Sequence, residues 1–209
     1  AAGLAIYRGA AFPLEYRGNA FIADTAARVI HRSILTPNGL EWVGDRATDE
    51  ANTEFLACQD PSFQPVQVAT GPEGALYVVD WTLEVPIIVA GGTALSYPPP
   101  RGRIWKITPA GFRAPARVKW ESAGTEDLVN GLRRANGWDR DTAARLLYEH
   151  QDKSALGPLG KLLLDLRAPP IARVLALHTI SELGLMALPY LAKGVVDPDE
   201  SVREHTILL

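Results

Sequence analysis

The first 120 residues alternate apolar and polar positions over short runs, which is typical of half-buried strands. The clearest case is a hairpin in which Pro65–Ala69 and Ala75–Val79 are joined by the turn Gly71–Gly74. Gly102–Thr108 is predicted to be a third strand beside the second. Four earlier strands are predicted at Leu4–Tyr7, Ala20–Asp24, Val29–Leu35 and Glu41–Val43. The pattern therefore predicts an all-β first part of the chain.

From about Thr125 the apolar period changes to the 3.6 residues of an α-helix. Six helices are predicted, at Asp127–Ala135, Arg140–Glu149, Ala155–Leu166, Pro170–Leu183, Leu188–Val196 and Ser201–Leu209. The trios that begin at Ala144, Ala172 and Val202 share a central arginine and recur at intervals of 28 and 30 residues. One further helix separates successive trios, so the repeating unit is a helix pair, as in an α-solenoid. The three arginines, Arg145, Arg173 and Arg203, are predicted to pair with acidic residues or backbone carbonyls of the next repeat unit.

Composition narrows the class of protein. Apolar residues make up 47% and charged residues 22% of the 209 positions, an ordinary globular composition that disfavours disorder. The net charge of −3 provides no basic field, so no nucleic-acid partner is expected. No transmembrane segment is expected either, because no uninterrupted apolar run approaches 18 residues. The chain begins with Ala1 rather than Met and ends within a helical pattern at Leu209, so we expect it to be a piece of a longer protein.

Several stretches resemble a known family. The run Phe12–Asp24 (FPLEYRGNAFIAD) resembles the penultimate blade of sorbosone dehydrogenase-like β-propellers. Glu54–Val66, followed by Gly71–Asp80 and Gly102–Ile107, resembles the last blade. The continuation into helices with an Ala-Arg or Val-Arg signature is similar to HEAT repeats. The combination resembles the planctomycete-type membrane-bound dehydrogenases.

The resemblance implies a fold and a function. The fold would be multidomain, all-β plus all-α: the last two blades of a six-bladed β-propeller in residues 1–120, then a HEAT-like α-solenoid in residues 121–209. The parent protein would oxidise a sugar or polyol with pyrroloquinoline quinone (PQQ) and pass electrons to a haem c domain outside this piece. Its location would be periplasmic or in the cell envelope.

Two expectations follow for this fragment. We expect it to bind no cofactor and to be inactive alone, because two blades leave the central channel open to water. The rival interpretation is a non-catalytic module that binds a glycan or a protein partner, the latter through the HEAT-like repeats. Propellers host both roles, so fold alone does not decide between them.

The strand ends that face the channel of such a propeller provide the candidate site residues. Asp60 and Asp80 are the catalytic candidates, since an aspartate could accept the hydroxyl proton while hydride goes to the cofactor. The cofactor-binding candidates are Arg17, Asp24, Gln64 and Trp81. Gln64 stands where many members of the resembled family have an arginine that could pair with a quinone carboxylate.

Structural roles are the alternatives for these residues. Asp60 could cap a turn with Pro61, Asp80 could close the hairpin, and Arg17 could bind loop carbonyls. No metal site is predicted, because His31, His150, His178 and His205 lie on different elements without ligand spacing.

Overall fold

The computed structural model describes residues 1–81, 87–88, 94–95 and 102–209. The chain divides into two compact units, residues 1–114 and residues 115–209. We call the first the β unit and the second the helical unit. The predicted boundary lies after residue 120.

The β unit begins with a five-stranded antiparallel sheet. Its strands are β1 (Gly3–Ile6), β2 (Ala20–Asp24), β3 (Val29–Asn38), β4 (Glu41–Arg46) and β5 (Leu56–Ala57). The order is β1-β2-β3-β4, and β5 pairs with the start of β3. The β3–β4 ladder runs without a break from the Ser33–Arg46 pair to the Asn38–Glu41 pair.

The predicted hairpin and third strand are confirmed. The strands β6 (Pro65–Thr70) and β7 (Leu76–Asp80) pair antiparallel. After a two-residue pairing of β8 (Ile87–Ile88) with β9 (Ala94–Leu95), β10 (Arg103–Ile107) pairs with the other edge of β7.

The turn between β6 and β7 requires a glycine at its end. Gly74 has a φ of +83°, and a Cβ there would lie 2.6 Å from the backbone nitrogen of Ala10. The hydroxyl of Tyr7, fully buried, donates to the Gly74 carbonyl at 2.6 Å and accepts from the backbone N–H groups of Ala11 and Phe12. A single side chain thus joins the segment after β1 to the β6–β7 turn.

Both sheets contribute to the core of the β unit. Its buried members are Tyr7, Phe12, Phe21, Ala23, Ile30, Phe63, Val68, Leu76 and Val78. The rings of Tyr7, Phe12, Phe21 and Phe55 meet mostly edge to face, the arrangement that aromatic pairs prefer.

All six predicted helices are present in the helical unit. They are α1 (Thr125–Gly131), α2 (Gly137–His150), α3 (Leu156–Leu164), α4 (Pro170–Glu182), α5 (Leu188–Gly194) and α6 (Glu200–Ile207). Local signals explain the starts: Asn136 caps α2, Pro170 occupies the first turn of α4, and Asp199 caps α6.

One apolar core holds these helices together. Leu147, Leu177, Ile180 and Leu183 are buried in it, as predicted from the helical period, while Leu146 and Leu175 are half-buried against it. Lys153, Glu182 and Lys193 are exposed as predicted, and Asp152 is half-buried. No helix in the described part of the chain is both long and apolar enough to cross a membrane.

The predicted fold class is wrong. The strands described here form small antiparallel sheets, with no closed barrel or propeller among them, and they are too few for two propeller blades. The physical reason is that alternation and turn chemistry specify an antiparallel hairpin but not how several hairpins are arranged around one another. Propeller blades followed by a HEAT-like α-solenoid are therefore replaced by two sheets, of five and three strands, a short two-stranded pairing, and six helices.

Candidate functional site

Asp80, one of the two catalytic candidates, is completely buried at the end of β7. The β7–β10 register places Arg103 directly opposite it. One carboxylate oxygen of Asp80 accepts from Arg103 Nε at 2.7 Å and from Trp105 Nε1 at 2.9 Å. The other accepts from the backbone N–H of Gln64 at 2.8 Å. Three donors from two neighbouring segments therefore satisfy this carboxylate.

Asp60, the second catalytic candidate, meets the same arginine. Its Oδ1 accepts from the backbone N–H of Ser62 at 2.8 Å and from the Ser62 hydroxyl at 2.7 Å, and its Oδ2 accepts from Arg103 at 3.0 Å. The hydrogen bonds from Ser62, followed by the one from Arg103, lower the pKa of Asp60 to about 2. We call Asp60, Ser62, Asp80, Arg103 and Trp105 together the Arg103 cluster.

The geometry of the Arg103 cluster favours structural roles for both aspartates. A general base works best when its pKa lies near the working pH, and a pKa of about 2 leaves Asp60 a very weak base. Asp80 has no exposed surface through which a substrate could reach it. Arg103 acts as a bridge: it ties the Asp60–Ser62 turn to the end of β7.

Of the four cofactor-binding candidates, Gln64 and Trp81 lie near Asp80, whereas Arg17 and Asp24 each bind a backbone group of a nearby loop. Gln64 and Trp81 lie beside Asp80, where the Gln64 carbonyl accepts from the Trp81 backbone N–H at 2.9 Å. Arg17 donates to the Gly9 carbonyl at 3.1 Å, which is the loop-binding role foreseen as its alternative.

Asp24 is also engaged locally. It accepts from the backbone N–H of Ala27 at 2.9 Å, and this bond is the main reason that its pKa is lowered. A quinone with several carboxylates needs cationic donors that converge on it. Because Arg17, the one cation among the four candidates, is turned towards a loop carbonyl, the set as placed here does not fit such a cofactor.

Sequence reasoning missed Arg103, the residue that organises the cluster. A usable signal was present: a strand predicted to pair with β7 begins beside Arg103, while β7 ends at Asp80. Writing out the antiparallel register would have placed the two side chains opposite each other.

The helical unit contains a buried ion pair between Arg173 and Asp197, and an acidic partner was among those predicted for this arginine. Arg173 binds Asp197 through two nitrogens, at 3.0 and 2.8 Å, and donates to the Ala168 carbonyl at 2.6 Å. Arg203 donates to the carbonyls of Asp197 and Pro198. Arg145 pairs with Glu149 of its own helix. The predicted kind of partner, an acidic residue or a carbonyl, is therefore confirmed for all three arginines, whereas among the described residues a partner in the next repeat unit is not found for Arg145 or Arg203.

The most exposed secondary structure of the β unit is β4. All six of its residues are exposed, and within the described strands it pairs with β3 alone. The indole of Trp42 is 67% exposed, Val43 is also exposed, and Leu40 in the preceding turn has no cover at all. We call β4 together with Leu40 the hairpin edge.

The fold and the site together define a two-sheet antiparallel unit with an internal charged cluster and an open edge. The family model described as "Domain of unknown function (DUF7133)" matches residues 1–110. The match covers more than half of the 209 residues, so the chain belongs to this family. No curated protein and no solved structure matches the chain.

Proposed function

We propose that the β unit is a non-catalytic binding module whose hairpin edge receives an extended segment of a protein partner. The observation that carries the proposal is that all six residues of β4 are exposed at the edge of the five-stranded sheet.

The backbone of β4 is suited to strand addition. An edge strand presents N–H and C=O groups on the side away from its neighbour, and an extended peptide can pair with them. Folded proteins commonly block such edges with charged side chains, above all lysine, with proline or with a bulge. The β4 strand contains neither proline nor lysine, and its ladder with β3 has no bulge. Its three charged residues lie at its ends, which leaves the central stretch Trp42-Val43-Gly44 uncharged.

The side chains of the hairpin edge favour a protein over a glycan as the occupant. Because neighbouring strand residues point to opposite faces, Trp42 and Val43 lie on opposite sides of the hairpin. A peptide strand beside β4 would therefore have an apolar contact on each face. Tryptophan is enriched among the residues that dominate binding energy in protein interfaces. A sugar would use the indole face but not the row of backbone groups.

The Arg103 cluster supports the non-catalytic part of the proposal. Both aspartates that were candidates for proton transfer are held by Arg103 and neighbouring donors. The oxidation of a sugar or polyol with PQQ, the transfer of electrons to haem c and the periplasmic or envelope location remain predictions that rest on resemblance.

Peptide display on the full 209-residue chain tests the proposal. Selected peptides should be extended, with apolar side chains at alternate positions, and should protect the backbone N–H groups of β4 from hydrogen exchange. Trp42→Ala should weaken their binding by about 2 kcal/mol or more, as expected for an interface tryptophan. Leu188→Ala, which removes an exposed leucine from the helical unit, is the matched control and should leave the affinity unchanged.

Two results would overturn the proposal. One is a set of bound peptides that protect other strands and are insensitive to Trp42→Ala. The other is the absence of peptide binding together with glycan binding that depends on Trp42, which would assign the edge to a sugar instead.

A further inference from the structure

Two histidines that are far apart in the sequence meet in the helical unit. His178 lies on α4 and His205 on α6, and a hydrogen bond of 2.9 Å joins His178 Nε2 to His205 Nδ1, so a cation bound between the two nitrogens would replace this hydrogen bond. The two ring centroids are 5.0 Å apart and the ring planes are nearly perpendicular, at 79°. Because the two imidazoles come from two different helices, no local spacing in the sequence could reveal the pair.

Both imidazoles lie beside buried positions of their helices and remain accessible. His178 lies between the buried Leu177 and Thr179 on α4, and His205 precedes the buried Thr206 on α6. The imidazoles themselves are half-buried, so one side of the pair meets solvent. Water could therefore reach a cation held between them.

The surroundings of His178 favour its neutral form, because they lower its pKa. Burial lowers the pKa of His178, the neighbouring His205 lowers it further, and Glu182 on the next turn of α4 acts in the opposite direction. Neutral imidazole is the form that binds metal ions. Each ring can keep its one N–H on the nitrogen that faces away, so binding a cation requires a change of tautomer and no loss of a proton.

The distance between the two nitrogens matches the bite of a metal ion. With metal–nitrogen bonds of about 2.0–2.1 Å, two nitrogens that subtend a right angle at the metal lie about 2.9 Å apart. Right-angled nitrogen ligands are characteristic of tetragonal Cu²⁺ and Ni²⁺ sites. We propose that His178 and His205 form a two-imidazole chelate for a divalent transition metal, Cu²⁺ or Ni²⁺, with water in the remaining positions.

The proposed site is a chelate of two protein ligands. In the described part of the chain, no group of three or more His, Cys, Asp or Glu side chains is arranged to hold a metal. The affinity should therefore be lower than that of a structural metal centre. The cation would clamp α4 to α6, two helices that already pack together.

Calorimetric titration of the full chain, prepared without an affinity tag, tests the site with Cu²⁺, Ni²⁺ and, as a negative control, Mg²⁺. We expect one equivalent of Cu²⁺ or Ni²⁺ to bind and to raise the Tm in a concentration-dependent way. His178→Ala and His205→Ala should each weaken metal binding by roughly 10–100-fold or more. Loss of a residue that only supports a metal ligand already costs that much, and these two residues are the ligands themselves. His150→Ala removes an exposed histidine of α2 and should leave binding unchanged.

Electron paramagnetic resonance of the Cu²⁺ form provides a readout that does not depend on the stability of any variant. Splitting from two imidazole nitrogens supports the proposal. One nitrogen, none, or an affinity that is unchanged in both His178→Ala and His205→Ala would overturn it. A failure of both cations to bind at millimolar concentration would overturn it as well.

Discussion

At the scale of single residues, the role of Asp80 depends on donors that are distant in sequence. A fully buried carboxylate is costly unless it is paired and hydrogen-bonded. Asp80 meets this condition through Arg103, 23 positions later, and through the backbone of Gln64, 16 positions earlier. The same aspartate could serve as a base in an open channel, so its residue type alone does not assign a role. Burial and partners assign it.

The paired carboxylate of Asp80 should matter for stability. Asp80→Ala should lower the free energy of unfolding by about 3 kcal/mol, the lower end of the range for breaking a buried ion pair, because Arg103 is one-third exposed. Urea unfolding of the full chain, followed by tryptophan fluorescence, measures the change. Asp45→Ala, at an exposed position of β4, is the control and should change the free energy by less than about 0.5 kcal/mol. Equal midpoints for the two variants would count against a structural role for Asp80.

At the scale of elements, helices follow from local rules more completely than strands do. The apolar period and the capping residues identify all six helices. The prediction of the strands is less complete. For example, β3 was predicted to end at Leu35, but it continues through Pro37 to Asn38. A proline is tolerated there because the missing N–H falls near the end of a hairpin ladder. The turn itself lies at Gly39–Leu40, where Gly39 has a φ of +64°.

The element-scale prediction compares the same substitution at two leucines. Leu177 on α4 is fully buried in the core of the helical unit, whereas Leu188 at the start of α5 is 77% exposed. Leu177→Ala should cost about 2–5 kcal/mol, because it removes packed methyl groups and leaves a cavity. Leu188→Ala should change stability by about 0.5 kcal/mol or less. Urea melts of the full chain, followed by the helical circular dichroism signal, compare them, and indistinguishable midpoints would mean that α4 is not packed as described.

What the sequence could not provide is contact between distant segments. The Asp60–Arg103 pair spans 43 positions and the His178–His205 pair spans 27. Neither pair leaves a local period, since each depends on how whole elements are arranged. The propeller prediction failed for the same reason: its hairpin was right, but the arrangement of the sheets was not. The Arg103–Asp80 pair could be read from the antiparallel register of two predicted strands, whereas the Asp60–Arg103 and His178–His205 pairs became visible only in three dimensions.

At the scale of the whole molecule, the chain contains two separate apolar cores. The buried core residues of the β unit fall between Tyr7 and Val78 in the sequence, and those of the helical unit fall between Trp120 and Leu183. Among the residues that the structure describes, none belongs to both cores. The two units have 114 and 95 residues (1–114 and 115–209), sizes at which single domains commonly fold alone.

The whole-molecule prediction is that each unit folds when made by itself. Residues 1–114 and residues 115–209 should each unfold in urea with one cooperative transition, because each retains its complete core. A control fragment, residues 132–209, lacks Trp120, Leu128 and Val129 and should lose its cooperative transition, since those side chains fill the same core as Leu177. Circular dichroism should be strand-like for the first fragment and helical for the second. If either complete unit unfolds without cooperativity while the full chain unfolds cooperatively, the division after residue 114 is not a division between independent folding units.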